Sequence, residues 1–281
     1  MSKPFIAYST MGKLVSTIYI PASRPAPVTI IYAKGAPTSW DSGNKDILEV
    51  ACKHNVNIIV PDYYGHARSY GTFSLKGCVD TIADTYDYVS NGVSLVNYLD
   101  GHCYDICSKH ILVLGSSFGG GVVSCLPIFT NDPKYYSTLA YLAPVTDWVS
   151  QGVLPNIPEE NLDNFNTQLI NIFPNIYRGY EGSDFHSLVT GVKEFVDKYN
   201  PILNVNTLSN SHVIIAHGSR DKAIHWRKSQ HYAQELQKAG ASVDFKLLRN
   251  IRHGGAIKKV GLDWIISTYL SHAKSHKEKK R

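Results

Sequence analysis

No stretch of the sequence is apolar for long enough to span a bilayer, and the opening MSKPFIAYST lacks the apolar run of a secretion signal. The cysteines are five, Cys52, Cys78, Cys103, Cys107 and Cys125, scattered through apolar or helical contexts. An odd, scattered set excludes the paired framework of a small disulfide-stapled secreted domain. These absences together set the expectation of a reducing, cytoplasmic compartment. Metal-ligand spacing is missing as well. HCYDICSKH brings His102, Cys103, Cys107 and His110 close in sequence but fits no zinc pattern, and His110 opens an apolar strand. No metal and no cofactor is expected. The sequence also has little unbalanced charge: of a formal net +5, the end of the chain (Lys274, Lys277, Lys279, Lys280 and Arg281 against Glu278) supplies +4. The remainder carries no basic stripe, and no aromatics are interleaved in the tail, which excludes nucleic acid as an expected partner. Residues 274–281 are expected to form a solvated, disordered tail.

What is present is a chain of 281 residues, 43% of them hydrophobic, enough to bury a sizeable core. One domain over residues 1–273 is expected. Short β-branched runs alternate with helical patterns. KLVSTIYI, VTIIYA, VNIIVP, HILVLGSS, STLAYLAPV, SHVIIAHGS and SVDFKLLRNI read as strands. DILEVACKHN, FGGGVVSCLPIF, WRKSQHYAQELQKAG and GAIKKVGLDWIISTYLSHA read as helices, and CVDTIADTYDYVSNGVSLVNYL as one long helix or a pair. Continuous apolar strands alternating with helices predict an α/β fold: a mostly parallel sheet with helices on both faces and its chemistry at the carboxyl ends of the strands. Residues 148–200 break the rhythm with asparagines and aromatics (Phe165, Phe173, Tyr177, Tyr180, Phe185, Phe195, Tyr199). A long insertion between strands of such a sheet predicts a lid.

HILVLGSSFGGGVV contains Gly115-Ser116-Ser117-Phe118-Gly119, a G-x-S-x-G pattern. By chance alone a chain of this length carries that pattern with a probability of roughly 10%. Its position between an apolar strand and a glycine-rich helix start adds the weight, because a nucleophile elbow needs small residues on both sides of a strained serine. A serine hydroxyl is a weak nucleophile and needs a base, an acid that orients the base, and donors for the oxyanion. His253, in LLRNIRHGG, leaves a late strand ahead of the final helix and is the expected base. His217 and His66 are the other strand-end or loop histidines, with structural or pocket-lining roles expected. Asp221, in HGSRDKAI, is the expected acid; Asp147 in LAPVTDW is its rival, or a cap on the insertion. Backbone amides of Phe118 and of Ala36 in YAKGAP are the expected oxyanion donors. Ser116 is expected to be only a small flanking residue.

Ser117, Asp221 and His253 in that chain order resemble an α/β-hydrolase, and PDYYGHARSYG is similar to a D-Y-x-G-x-G-x-S segment of such enzymes. LAPVTDW, HGSRDKAI and QELQKAGASVDFKLLRNIRHGG resemble the catalytic domain of prolyl-oligopeptidase-type serine hydrolases. The resemblance implies acyl transfer through a Ser-His-Asp triad, without a cofactor. Where that family usually has H-G-G-P, this chain has Lys34-Gly35-Ala36-Pro37. Lys34 is therefore a candidate for drawing an anionic substrate group, or else a snorkelling surface lysine, and Trp148 is a second candidate for the substrate pocket. The large peptidases of the family carry a β-propeller, for which this chain has no room. The expectation is a carboxylic-ester or thioester hydrolase acting on a small-molecule acyl substrate. Alternatives are a small aminopeptidase, with Glu159 and Glu160 receiving the substrate amine, and a non-catalytic ligand receptor on the same fold. Oligomeric state is not legible in the sequence.

Overall fold

A computed structural model of the chain describes residues 3–108, 110–149, 171, 175–180, 184–189 and 191–278. The elements in order are β1 (Phe5–Met11), β2 (Leu14–Ile20), β3 (Val28–Ala33), α1 (Lys45–His54), β4 (Val56–Pro61), α2 (Leu75–Asn91), β5 (Val93–Val96) and β6 (Cys103–Ile106). They continue with β7 (His110–Ser116), α3 (Phe118–Ser124), α4 (Leu126–Thr130), β8 (Thr138–Leu142), α5 (Asp184–Val189) and α6 (Lys193–Tyr199). The last are β9 (His212–Gly218), α7 (Trp226–Lys238), β10 (Ser242–Leu248) and α8 (Gly255–Glu278).

Eight strands form one sheet in the order β1-β2-β4-β3-β7-β8-β9-β10. From β4 to β10 neighbouring strands are parallel, and β2 joins β4 antiparallel with β1 at the edge. The central strands are buried along their whole length because both faces are covered, so they read as continuous apolar runs. Their side chains divide by period two. Ile31, Val113, Val213 and Ile215 join one core with α2, α3, α4 and α7. Ile30, Leu112, Leu114, Ile214 and Ala216 join the other with α1 and α8. This is the expected α/β-hydrolase architecture.

Three segments depart from the sequence reading. Phe5–Met11 is a strand, although its Ser9 and Thr10 broke the apolar pattern; it pairs along its full length with β2. The expected long helix over residues 78–99 stops at Gly92, where φ is 82°, and the chain turns into the β5–β6 hairpin. Leu95 and Ile106 of that hairpin are buried against Ile18, Ile20 and Ile59, so tertiary packing overrides the helical spacing. The last helix runs to Glu278 rather than ending before Lys274, since no glycine or proline interrupts it after Gly261. The expected lid over 148–200 lies largely outside the described residues; its described parts include α5, α6 and Tyr177, which is buried against His66 and Phe73. Among the described residues no helix is long and apolar enough to cross a membrane.

Candidate active site

At the end of β7 the chain reverses at Ser117, whose φ of 52° and ψ of −124° lie where side-chain-bearing residues rarely sit. Close approach explains the flanking glycines. A Cβ on Gly115 would lie 2.3 Å from the Gly119 carbonyl oxygen, and one on Gly119 would lie 2.1 Å from the Ala33 carbonyl oxygen. The strained turn is held from outside: the Ser117 amide donates to the Leu142 carbonyl (3.1 Å), and its carbonyl accepts from Gly120 (2.9 Å) and Val145 (2.8 Å). The adjacent Ser116 faces the other way, its hydroxyl accepting from the buried Tyr32 hydroxyl at 3.0 Å. The two serines are thus separated by packing.

The loops after β9 and β10 bring two more side chains to Ser117. His253 Nε2 lies 3.2 Å from Ser117 Oγ, and His253 Nδ1 lies 2.6 Å from Asp221 Oδ2. Asp221 is buried, and its Oδ1 accepts the amides of Ala223 and Ile224, both at 2.9 Å. Its Oδ2 accepts a further bond from His217 Nε2 at 3.1 Å. His217 Nε2 also faces the Ile224 carbonyl at 3.0 Å, so this nitrogen carries the proton, leaving Nδ1 to accept from the Ser229 hydroxyl at 2.7 Å. Burial on its own would raise the Asp221 pKa; the hydrogen bonds from His217 and His253 outweigh it and hold the carboxyl well below the ordinary carboxylate range. An ionised Asp221 fixes the proton of neutral His253 on Nδ1 and turns the Nε2 lone pair towards Ser117. A nucleophile, a base and an orienting carboxylate in hydrogen-bond contact are the parts acyl transfer needs.

Beside them runs the loop after β3. A Cβ on Gly35 would lie 3.1 Å from Ser117 Cβ and 3.6 Å from its Oγ, so the loop passes directly against the hydroxyl at Gly35. Phe118 is the first residue of α3, across the hydroxyl in sequence. The loop is tied at several points: Tyr63 donates its hydroxyl to the Lys34 carbonyl (2.7 Å), Thr38 donates to the Gly35 carbonyl (3.0 Å), and His66 Nε2 lies 2.9 Å from the Thr38 carbonyl. The Tyr177 hydroxyl meets both the Thr38 amide (2.7 Å) and its carbonyl (2.8 Å).

The sequence profile of the prolyl oligopeptidase family matches residues 89–270, a span holding Ser117, Asp221 and His253. The chain belongs to the prolyl oligopeptidase family, and so to the serine hydrolases. No protein of curated function matches it significantly in sequence. Among solved structures it resembles a Bacteroides ovatus protein assigned as a dipeptidyl aminopeptidase IV, at 15% identity and a TM-score of 0.61. That likeness covers 96% of this chain and 36% of the other, so the chain spans about a third of that relative's length. The carboxylesterase EstE1, from a metagenomic library, is similar at 13% identity and a TM-score of 0.62, over 95% of this chain and 88% of that one. The esterase Est2 of Thermogutta terrifontis is similar at 15% identity and a TM-score of 0.57, over 96% and 94%. At such identities these likenesses speak for the fold.

Within this prolyl oligopeptidase family member, two expected pocket residues take other places. Lys34 is neither a substrate-facing cation nor a surface lysine: its ammonium donates to Asp62 Oδ1 at 3.1 Å and to the Ser39 carbonyl at 2.8 Å, in a buried pair. Desolvation lowers its pKa, and the Asp62 charge works against that fall. Burial would raise the Asp62 pKa, but Lys34 and Arg68, whose Nε is 2.7 Å away, bring it below its ordinary value. Trp148 is core rather than pocket wall. It is buried beneath Phe118, ring centroids 5.7 Å apart, with its indole N–H on the Tyr199 carbonyl at 3.0 Å. Asp147 accepts from the Val149 amide (3.0 Å) and from Asn200 (2.8 Å), the capping place expected as the alternative to an acid role. Glu159 and Glu160 lie outside the described residues. Sequence reasoning missed two groups: His217 as a second partner of Asp221, signalled only by the four-residue spacing, and Asp62, an acid ending the strand beside Lys34.

Proposed function

We propose that this serine hydrolase cleaves carboxylic esters or thioesters through an acyl-enzyme formed on Ser117. His253 Nε2 takes the hydroxyl proton as Ser117 Oγ attacks the carbonyl carbon, and Asp221 stabilises the imidazolium. The amides of Phe118 and Ala36 receive the oxyanion of the tetrahedral intermediate. His253 then returns the proton to the leaving alcohol or thiol. Water, deprotonated by the same nitrogen, releases the acid and restores the serine. The single observation that carries this reading is the unbroken contact line from Ser117 Oγ to His253 Nε2 at 3.2 Å and from His253 Nδ1 to Asp221 Oδ2 at 2.6 Å. The ester preference draws support from EstE1 and Est2, which this chain matches over most of their own length. The insertion over residues 148–200 serves as a lid on the acyl pocket, a reading supported by Tyr177 gripping Thr38 in the loop beside Ser117.

A second reading, a serine peptidase, is favoured by the family match itself. Cleavage of p-nitrophenyl acyl esters of varied chain length, acyl thioesters and aminoacyl anilides separates the two. The ester reading expects turnover of esters or thioesters far above that of anilides, all of it absent in Ser117→Ala. Anilide turnover exceeding that of every ester would install the peptidase reading instead.

A further inference from the structure

Three chemistry-bearing side chains from three elements meet at the edge of the sheet opposite Ser117. His212 opens β9, and the register sets it beside Ser242 of β10, so Asp244, two residues on, shares its face. That face also carries Ile214 and Ala216 and is covered by Leu262, Ile265, Ile266 and Tyr269 of α8. His272 follows Tyr269 by three residues, the next position of the same helical stripe. The apolar seam between helix and sheet therefore ends in two imidazoles and a carboxylate. His212 Nε2 is 2.8 Å and His272 Nε2 3.0 Å from the same oxygen, Asp244 Oδ2, with the two rings 4.3 Å apart. The three ligand atoms lie within 4.8 Å of one another.

We propose that His212, Asp244 and His272 form a binding site for a divalent transition metal of the zinc class. Two imidazole nitrogens and one carboxylate oxygen converging on one point are a ligand set that zinc accepts, with water completing the tetrahedron. Metal–ligand bonds near 2.0 Å put tetrahedral ligand atoms roughly 3.3 Å apart. The two contacts to Asp244 need to open by only a few tenths of an ångström, and the two imidazole nitrogens, within 4.8 Å of each other, settle to the same spacing by rotation of their partly exposed rings. Without a cation each Nε2 carries a proton and donates to Asp244. With one, each ring keeps its proton on Nδ1 and gives the Nε2 lone pair to the metal. A neutral ring loses no proton in this exchange, and an imidazolium releases one. The ion stands away from the reacting atoms: β9 runs seven residues from His212 to Gly218, about 20 Å, before the turn to Asp221. It instead joins the far ends of the elements that present the triad. β9 leads to Asp221, β10 leads to His253, and α8 begins two residues after His253. A bound ion clamps α8 to the sheet and stabilises that frame.

The test uses the full chain stripped with a chelator and titrated with Co2+ and, separately, Zn2+. The wild type is expected to bind one Co2+ with the intense visible absorption of a tetrahedral site. At a hundredfold excess over its Kd, Zn2+ should raise Tm by roughly 5 °C. His272→Ala and Asp244→Asn change partly exposed side chains, so both variants should fold, with the cobalt band and the zinc-dependent shift lost. Absence of binding by the wild type at millimolar Co2+ overturns the proposal. So does equal binding by the wild type and both variants, which would locate the metal elsewhere, for example at Cys103 and Cys107. Neither readout depends on turnover, so the site stands or falls separately from the proposed hydrolase chemistry.

Discussion

His66 makes the protein's stability depend on pH in a way that can be isolated. It is buried, its Nε2 bonds to the Thr38 carbonyl, and its Nδ1 is buried without a hydrogen-bond partner. Desolvation, and then the neighbouring Lys34 charge, lower its pKa to about 4. In the unfolded chain a histidine titrates near 6.5. The folded pKa is thus depressed, and the unfolded chain takes up the proton first as the solution is acidified. Stability is unaffected well above pH 6.5, falls between about 6.5 and 4, and levels off below. At about pH 5 the two binding polynomials differ roughly thirtyfold, which corresponds to about 2 kcal/mol relative to pH 7.5. Urea unfolding at both pH values, for the wild type and for His66→Gln, reads the difference. Glutamine retains a donor for Thr38 and cannot titrate, so the wild type should lose about 2 kcal/mol more than the variant. Equal losses to within about half a kcal/mol would refute the assignment of a neutral, desolvated His66.

Three substitutions probe the site itself. Asp221→Asn removes the charge that fixes the His253 tautomer and should lower kcat by about 10³ to 10⁴, measured on the best ester with fold retention followed by circular dichroism. Gly119→Ala brings a Cβ to 2.1 Å from the Ala33 carbonyl oxygen, and should destabilise the protein by about 3 kcal/mol or more in a denaturant titration. Lys34→Met releases the loop carrying Ala36 from Asp62. As a positioning residue it should lower kcat by roughly ten- to a hundredfold with KM little changed, whereas a substrate-binding lysine would show itself in KM.

The parts of the molecule that sequence made legible are those in which local pattern and final environment agree. β3, β4, β7, β8 and β9 are buried on both faces, so their residues had to be apolar throughout; Ser117 and Asp221 sit where such strands end, and His253 follows the edge strand β10. The β5–β6 hairpin was hidden because Val93, Leu95 and Val96 continue an apolar spacing that also suits a helix; only the packing of Leu95 and Ile106 decides it. Lys34 was misplaced for a related reason. Its partner Asp62 lies 28 residues away, just past the end of the neighbouring strand β4, and charge pairing of that kind has no local signature. The same holds for His212, Asp244 and His272, whose separations of 32 and 28 residues match no ligand spacing and become a cluster only through strand register and the packing of α8 on the sheet. In HCYDICSKH, where residues are close in sequence but no metal pattern is read, Cys103 lies exposed on the hairpin and Cys107 exposed just after it.

The central claim is that Ser117 is a nucleophile activated by His253 and Asp221. Reaction with a fluorophosphonate probe, with the adduct located by mass spectrometry of peptides, tests it most directly. Close to one label per chain is expected on Ser117, with no label in Ser117→Ala and strongly slowed labelling in Asp221→Asn. An unlabelled wild type, or equal labelling of wild type and Ser117→Ala, would contradict it.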